Sequence, residues 1–340
     1  MNDAAISPPP AGAAIKNSMT RTRAQLVGYG TYLPVNLVTN DELAKTVDTS
    51  DAWIRERTGI RQRYLAAPHE TCAFMATRAA QAALASSGVP PSEIGAVILA
   101  TATPDQAFPA TATRVQAALG VGGFAFDMSA ACSGFVFALG MADSLIRSGA
   151  IRAAVVIGAE VYSRILDWTD RGTCVLFGDG AGAVVLRATD GDDSAPGILS
   201  THLHSDGNLG DILYVDGAVG RRDLPGHLIM NGREVFRHAV SRMSEAIDEA
   251  LAANHLARTD IDWLIPHQAN RRIIDGIGKK LGLDETQVVV TVDRHANTSA
   301  ASIPLALAAA IDDGRIKPGQ LILLGALGGG LTWASALIRL

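Results

Sequence analysis

The stretch Phe124-Ala-Phe-Asp-Met-Ser-Ala-Ala-Cys132-Ser-Gly-Phe-Val-Phe-Ala-Leu-Gly-Met-Ala-Asp143 decides how the chain is read. It predicts a strand ending near Met128, a turn through small residues, and a helix running to about Gly149. From Cys132 onward no charge occurs before Asp143, and a helix that is apolar nearly all round is a buried one. Cys132 therefore stands at or just before the first turn of a helix in the middle of the protein. Unpaired N–H groups and the positive dipole end favour an anion there, and the thiolate is the form of cysteine that attacks carbon. Position alone leaves two readings open, a nucleophile or a small buried hydrophobe.

Working outward, 340 residues suffice for one large domain or two fused ones, and 48% apolar with 19% charged residues is a globular composition. Aromatics are only 5%, so small side chains must let helices lie close to sheets. A net charge of −5 argues against nucleic acid as a partner. Cys72, Cys132 and Cys174 are odd in number and far apart. They give neither a disulfide framework nor a CxxC metal pair, so a reducing cytoplasm fits best. No apolar run reaches the length of a membrane span. Residues 1–21, with Pro8-Pro9-Pro10, read as a disordered tail without a secretory h-region, and Met19 is an alternative start.

Strands are expected at 96–101, 151–158, 288–292 and 321–325, the first two of them buried, and helices at 71–87, which is rich in Ala, and at 231–253, 271–281 and 300–312. The glycines of Phe177-Gly-Asp-Gly-Ala-Gly are followed by a β-branched run, not by the helix that a dinucleotide fingerprint needs, so nucleotide binding is rejected there. Trp53 with Arg57 reads either as a packed Trp on a solvated helix or as a stacking platform with cations for phosphates.

The halves echo each other. Met75 opens a helix, turn and strand that recur from Met243, and the polar break at 190–195 is the expected seam, giving units 22–190 and 191–340. Cys132 precedes Gly149 by 17 residues, as Asn297 precedes Gly314. That spacing predicts that Cys132 and Asn297 are equivalent positions facing each other across the duplication. His267 is expected at the C-end of a strand, where α/β folds expose functional groups.

The motifs Thr49-Ser-Asp-Ala-Trp53, Ser129-Ala-Ala-Cys132-Ser-Gly, Asp170-Arg171-Gly-Thr, Phe177-Gly-Asp-Gly-Ala-Gly, His267-Gln-Ala-Asn270, His295-Ala-Asn297-Thr-Ser and Gly328-Gly-Gly-Leu-Thr-Trp333 occur in this order. Together they resemble the 3-oxoacyl-[acyl-carrier-protein] synthase III family, condensing enzymes of the thiolase superfamily, over residues 22–340. The resemblance implies an α/β, thiolase-like fold of five αβαβα layers built from two duplicated halves, acting as a homodimer. It implies condensation of an acyl-CoA primer, acetyl-CoA for preference, with malonyl carrier protein to begin fatty acid synthesis. It places a catalytic triad on Cys132, His267 and Asn297, with oxyanion donors at the backbone of Cys132 and Gly329. Coenzyme A would meet Thr49, Trp53, Arg57, Arg171 and Asn270, and the acidic carrier protein Gln268, Ala269, Asn270, Arg271, Arg272 and Arg237. Phe108 would reach the acyl pocket of the other subunit. No cofactor, metal, nucleic acid or membrane is implied. Leu327 and Leu331 stand where many members carry Phe, and Ala334 where Gly is common, which leaves acyl preference open. Alternatives are a condensing enzyme of secondary metabolism or a thioester hydrolase. A thiolase would carry a second reactive cysteine near the C-terminus, and the glycine run has none.

Overall fold

Apolar β-branched runs alternating with helices form two large sheets, beside two short two-stranded ones, Asn36–Thr39 with Gln62–Leu65 and Leu213–Val215 with Leu228–Met230. The computed structural model describes residues 21–191, 194–217 and 223–340; of the expected tail at 1–21 only Arg21 is described, where it opens a strand, and the rest lies outside the described residues. The first sheet orders its strands Arg21–Tyr32, Gly180–Gly191, Ala153–Glu160, Ile94–Ala100 and Phe124–Met128. The last three run parallel and the first two join antiparallel. The second sheet orders Trp263–Pro266, Leu321–Gly328, Thr332–Arg339 and Gly197–Ser205, with the same change from parallel to antiparallel. The chain crosses from one sheet to the other between Gly191 and Gly197. Helices Gly134–Arg147 and Ser302–Asp312 lie between the sheets in one apolar core. Cys72–Ser87 and Thr111–Leu119 cover the outer face of the first sheet, and Gly232–Ala253 with Arg271–Leu281 that of the second. The layers are αβαβα. Ala153–Glu160 and Leu321–Gly328 are buried at every residue, as strands covered on both faces must be. No described helix is long and apolar enough to cross a membrane.

Two sequence expectations need correction. Residues 288–292 do not form a strand. Val288 makes a single parallel bridge to Leu264, and a short helix, Val292–His295, follows. The reason is Gln268, whose buried carboxamide oxygen accepts the N–H groups of Thr291 (2.7 Å) and Val292 (3.1 Å). A side chain thus takes the donors that a ladder would use.

Cys132 and Asn297 are also not equivalent. Each central helix is preceded by a 3₁₀ turn, Ala131–Ser133 or Ser299–Ala301, opened by a non-glycine residue in the left-handed region, Ala131 (φ 45°) or Ser299 (φ 48°). These residues are 299 − 131 = 168 apart, the offset that also relates strand Ala153–Glu160 to Leu321–Gly328 and Met75 to Met243. Cys132 therefore matches Ala300, and Asn297 matches Ser129. The equal spacing to the closing glycines arises because the second central helix has 11 residues where the first has 14.

The two turns meet through glycines. A Cβ on Gly158 would collide with the carbonyl oxygen of Ala300, and one on Gly328 would lie 2.6 Å from the Cys132 nitrogen. Neither position has a left-handed φ, so close approach, not backbone freedom, requires glycine. Gly158→Ala should cost about 1–3 kcal/mol in urea unfolding. Gly122→Ala, whose Cβ would meet nothing within 4 Å, should change stability by no more than about 0.5 kcal/mol. Equal effects would show that the contact with Ala300 can relax.

Candidate active site

Cys132 occupies the 3₁₀ turn just ahead of helix Gly134–Arg147 and is 5% exposed. The turn is tied to the second half through hydroxyls. Ser133 Oγ donates to Thr332 Oγ1 (2.8 Å), which donates to the Ala130 carbonyl (3.0 Å). The helix terminus favours a thiolate, but burial opposes it and pushes the Cys132 thiol up to about 12. The hydroxyls of Ser299 and Tyr162 act against that rise. The resting sulfur is therefore protonated at neutral pH.

His267 follows strand Trp263–Pro266, with its own N–H on the Gly325 carbonyl at 2.7 Å. Burial holds the imidazole at about 3, so it is neutral. Its Nδ1 lies 2.7 Å from Ser302 Oγ, and that oxygen accepts the Gln268 N–H at 3.3 Å. The remaining Ser302 proton points to Nδ1. This network assigns the Nε2–H tautomer, which can donate into the cavity. Asn297 is fixed similarly. Its Oδ1 accepts the Ser299 N–H at 2.9 Å, which leaves Nδ2 as the outward group. Its backbone is held by Leu176 (2.9 Å) and Gly178 (3.0 Å).

One cavity of about 250 Å³ joins these three residues to the surface. Cys132, His267 and Asn297 line its buried end, with Tyr162, Phe177 and Leu327 beside them. Trp53, Arg57 and Asn270 line its outer part. Trp53 sits between two cations, with the Arg57 guanidinium 4.5 Å and that of Arg171 5.4 Å from its ring centroid. Arg171 is anchored to the Asp48 carbonyl (2.9 Å) and carboxylate (3.1 Å). Thr49 does not line the cavity, and its buried hydroxyl has no hydrogen-bond partner.

The other expected residues fall in different places. Gln268 is buried. Its amide nitrogen donates to the Pro266 and Val289 carbonyls, and its oxygen accepts Thr291 and Val292. Its side chain is an internal brace and cannot meet a carrier protein. Ala269 and Asn270 line the cavity, and Asn270 Oδ1 caps helix Arg271–Leu281. Arg271 is paired with Asp275 (2.6 Å) and Arg237 with Glu234. Arg272, Lys279 and Lys280 are exposed on that same helix. Phe108 is 84% exposed and outside the cavity. Gly328 abuts Cys132, and Gly329 packs closely against the Leu213 carbonyl. Sequence reasoning did not assign roles to Ser302, Ser299, Tyr162 or Glu160, because isolated hydroxyls and a strand-end carboxylate carry no pattern.

Known proteins share this fold. The 3-oxoacyl-[acyl-carrier-protein (ACP)] synthase III family matches residues 126–207, and its C-terminal region matches residues 251–340. A beta-ketoacyl-[acyl-carrier-protein] synthase III of Acidiphilium cryptum is 67% identical over 93% of this chain and 99% of its own. The crystal structure of 3-oxoacyl-[acyl-carrier-protein] synthase III from Aquifex aeolicus superposes with a TM-score of 0.88 at 47% identity, over 93% of this chain and all of that one. The priming beta-ketosynthase of the R1128 polyketide pathway superposes at 0.87 with 36% identity, over 94% and 97%. With such identity and such a superposition along nearly its whole length, the chain belongs to the 3-oxoacyl-[acyl-carrier-protein] synthase III family of acyltransferase-type condensing enzymes.

Proposed function

We propose that the protein condenses an acyl-CoA primer with malonyl carrier protein by way of an acyl-Cys132 intermediate, as the first condensation of fatty acid synthesis. The observation that carries this reading is the single cavity leading from the Trp53–Arg57 mouth to Cys132, His267 and Asn297. Trp53 stacks on the adenine of coenzyme A, and Arg57 and Arg171 meet its phosphates. The Cys132 sulfur attacks the thioester carbon, and the backbone N–H groups of Cys132 and Gly329 receive the oxyanion. The CoA thiolate leaves. Malonyl carrier protein then enters and loses carbon dioxide. Nε2–H of His267 and Nδ2–H of Asn297 donate to the enolate oxygen, and the carbanion displaces Cys132 from the acyl group. Acetyl is the proposed primer because Tyr162, Phe177 and Leu327 wall the cavity beside the sulfur.

The working unit is a homodimer. Phe124–Met128 is an edge strand with Phe124 exposed, and Phe108 also stands in solvent on the single chain. Such an apolar edge calls for a cover. The three cysteines are free and buried, which suits the reducing interior of a cell. A second reading, a priming enzyme of secondary metabolism, is favoured by the likeness to the R1128 ketosynthase. Intact-protein mass after exposure to a panel of acyl-CoAs separates the two by the acyl group that Cys132 retains.

Three results are expected. Cys132→Ala should lose acyl transfer yet keep measurable release of carbon dioxide from malonyl carrier protein. Asn297→Ala and His267→Ala should lose decarboxylation by roughly 10²–10³-fold while Cys132 is still acylated. Normal decarboxylation with failed acylation in Asn297→Ala would reverse the assigned roles. Next, Trp53→Ala and Arg57→Ala should each weaken acyl-CoA binding by about 1–3 kcal/mol, read by calorimetry. The rate of pre-acylated enzyme with malonyl carrier protein should hardly change. An unaltered Kd would make Trp53 a packing residue. Finally, Arg272→Glu with Lys279→Glu should raise KM for malonyl carrier protein far more than for acyl-CoA, and the gap should narrow at high salt. Equal losses for both substrates would place docking elsewhere.

A further inference from the structure

Acylation of Cys132 requires the thiol proton to go somewhere, and the triad offers no acceptor. His267 is neutral with its Nδ1 lone pair occupied by Ser302, so its cavity face is an N–H donor. Asn297 turns its amide NH₂ outward because Ser299 N–H holds its oxygen. Behind the sulfur, however, lies a buried acid. The turn that carries Ser299 packs against the turn that carries Cys132, and the hydroxyls of Ser299 and Tyr162 work against the rise in the cysteine's pKa. Ser299 Oγ is 3.0 Å from Glu160 Oε1 and 3.1 Å from the Tyr162 hydroxyl. Glu160 is fully buried at the end of strand Ala153–Glu160.

Its surroundings are those of an acceptor. The Ala102 N–H approaches both its oxygens at 3.1 Å, and Thr103 Oγ1 and Thr101 Oγ1 lie at 2.6 and 3.2 Å. Each threonine oxygen accepts a backbone N–H of its own, Thr103 from Val161 and Thr101 from Thr103. Their protons are thereby free to turn toward Glu160. Burial alone pushes the carboxyl up, and with these bonds opposing it the group stands at about 7. The titratable groups around it are Cys132 and Tyr162 on one side and Cys72 on the other, with Asp105 and Asp127 beyond Cys72.

The duplication supplies an independent observation. At the 168-residue offset Glu160 corresponds to Gly328 and Ser299 to Ala131, and Gly328 packs against Ala131 as Glu160 contacts Ser299. The same junction in the other half is built from a glycine and an alanine. The fold therefore needs neither the carboxylate nor the hydroxyl.

We propose that Glu160 stores the Cys132 proton during the catalytic cycle, receiving it through Ser299 when the thioester is attacked and returning it when the acyl group leaves. This rests on the acyl-Cys132 reading above. As the sulfur–carbon bond forms, the thiol proton passes to Ser299 Oγ, whose own proton passes to Glu160. The CoA thiolate departs with the broken carbon–sulfur bond and takes a proton from water. When the carbanion displaces Cys132, the released thiolate recovers its proton from Glu160 by the same path. One proton from solvent is consumed per turnover, matching the loss of carbon dioxide from a carboxylate. The charges favour coupling, because anionic Glu160 raises the cysteine pKa and protonated Glu160 does not. Ser299 stands between Glu160 and the turn that carries Cys132, and Glu160 acts through it as a positioning residue.

The test is single-turnover acylation by acetyl-CoA, followed by rapid quench and intact mass over about pH 5.5–9. Native protein should accelerate with pH to an inflection near 7. Glu160→Gln should be slower by roughly 10²-fold with no inflection, and Glu160→Asp should restore the inflection. Should Glu160→Gln fail to fold, Ser299→Ala carries the test, since Ala131 already occupies the corresponding left-handed position. It should lose the inflection while Glu160 remains. Native rates and inflections in either folded variant would overturn the proton store alone. No acylation of native Cys132 would overturn both it and the proposed function.

Discussion

Backbone pressed against backbone at the centre of the molecule is the constraint from which the rest follows. Gly158 and Gly328 bring the ends of two central strands onto two left-handed turns, with no room for a Cβ. That contact fixes the distance between the sheets and sets both central helices at one depth. It also lets Cys132 share a cavity with His267 and Asn297. The low aromatic content belongs to the same economy of space, since the layers meet through alanine and glycine.

Much of this was legible in the sequence, for identifiable reasons. A fully covered strand has to read as an apolar run and a central helix as apolar all round, so these elements followed from periodicity, whereas the five-layer order came from the resemblance to a known family. Cys132, His267 and Asn297 were legible as members of ordered motifs. What failed was whatever depended on contacts between distant segments. Nothing local says that Gln268 turns inward to satisfy Thr291 and Val292, so residues 288–292 read as a strand and Gln268 as a surface residue. The equivalence of Cys132 and Asn297 failed because the count was anchored on the closing glycines, while the second helix is shorter by nearly one turn. The left-handed Ala131 and Ser299 are the true anchors, and neither residue type announces that conformation.

Apart from Glu160 behind the sulfur, the buried end of the site holds dipoles in place of formal charge. Burial keeps His267 uncharged and Cys132 protonated, so the groups facing a substrate are N–H donors held by Ser302 and by the Ser299 backbone. Donors fixed before the substrate arrives need no reorganisation as negative charge develops. Formal charges gather instead at the mouth, where Arg57 and Arg171 flank Trp53 and remain in contact with water.

The depth of Cys132 carries a further consequence for its survival. Oxidants and adventitious electrophiles select cysteines that are exposed and already ionised. This one is neither, since it is 5% exposed and burial holds its proton. Peroxide met in the cell finds little thiolate to convert to sulfenic acid, and bulky electrophiles are stopped at the arginine-flanked ring. Cys132 is therefore open only to a molecule that can thread the cavity.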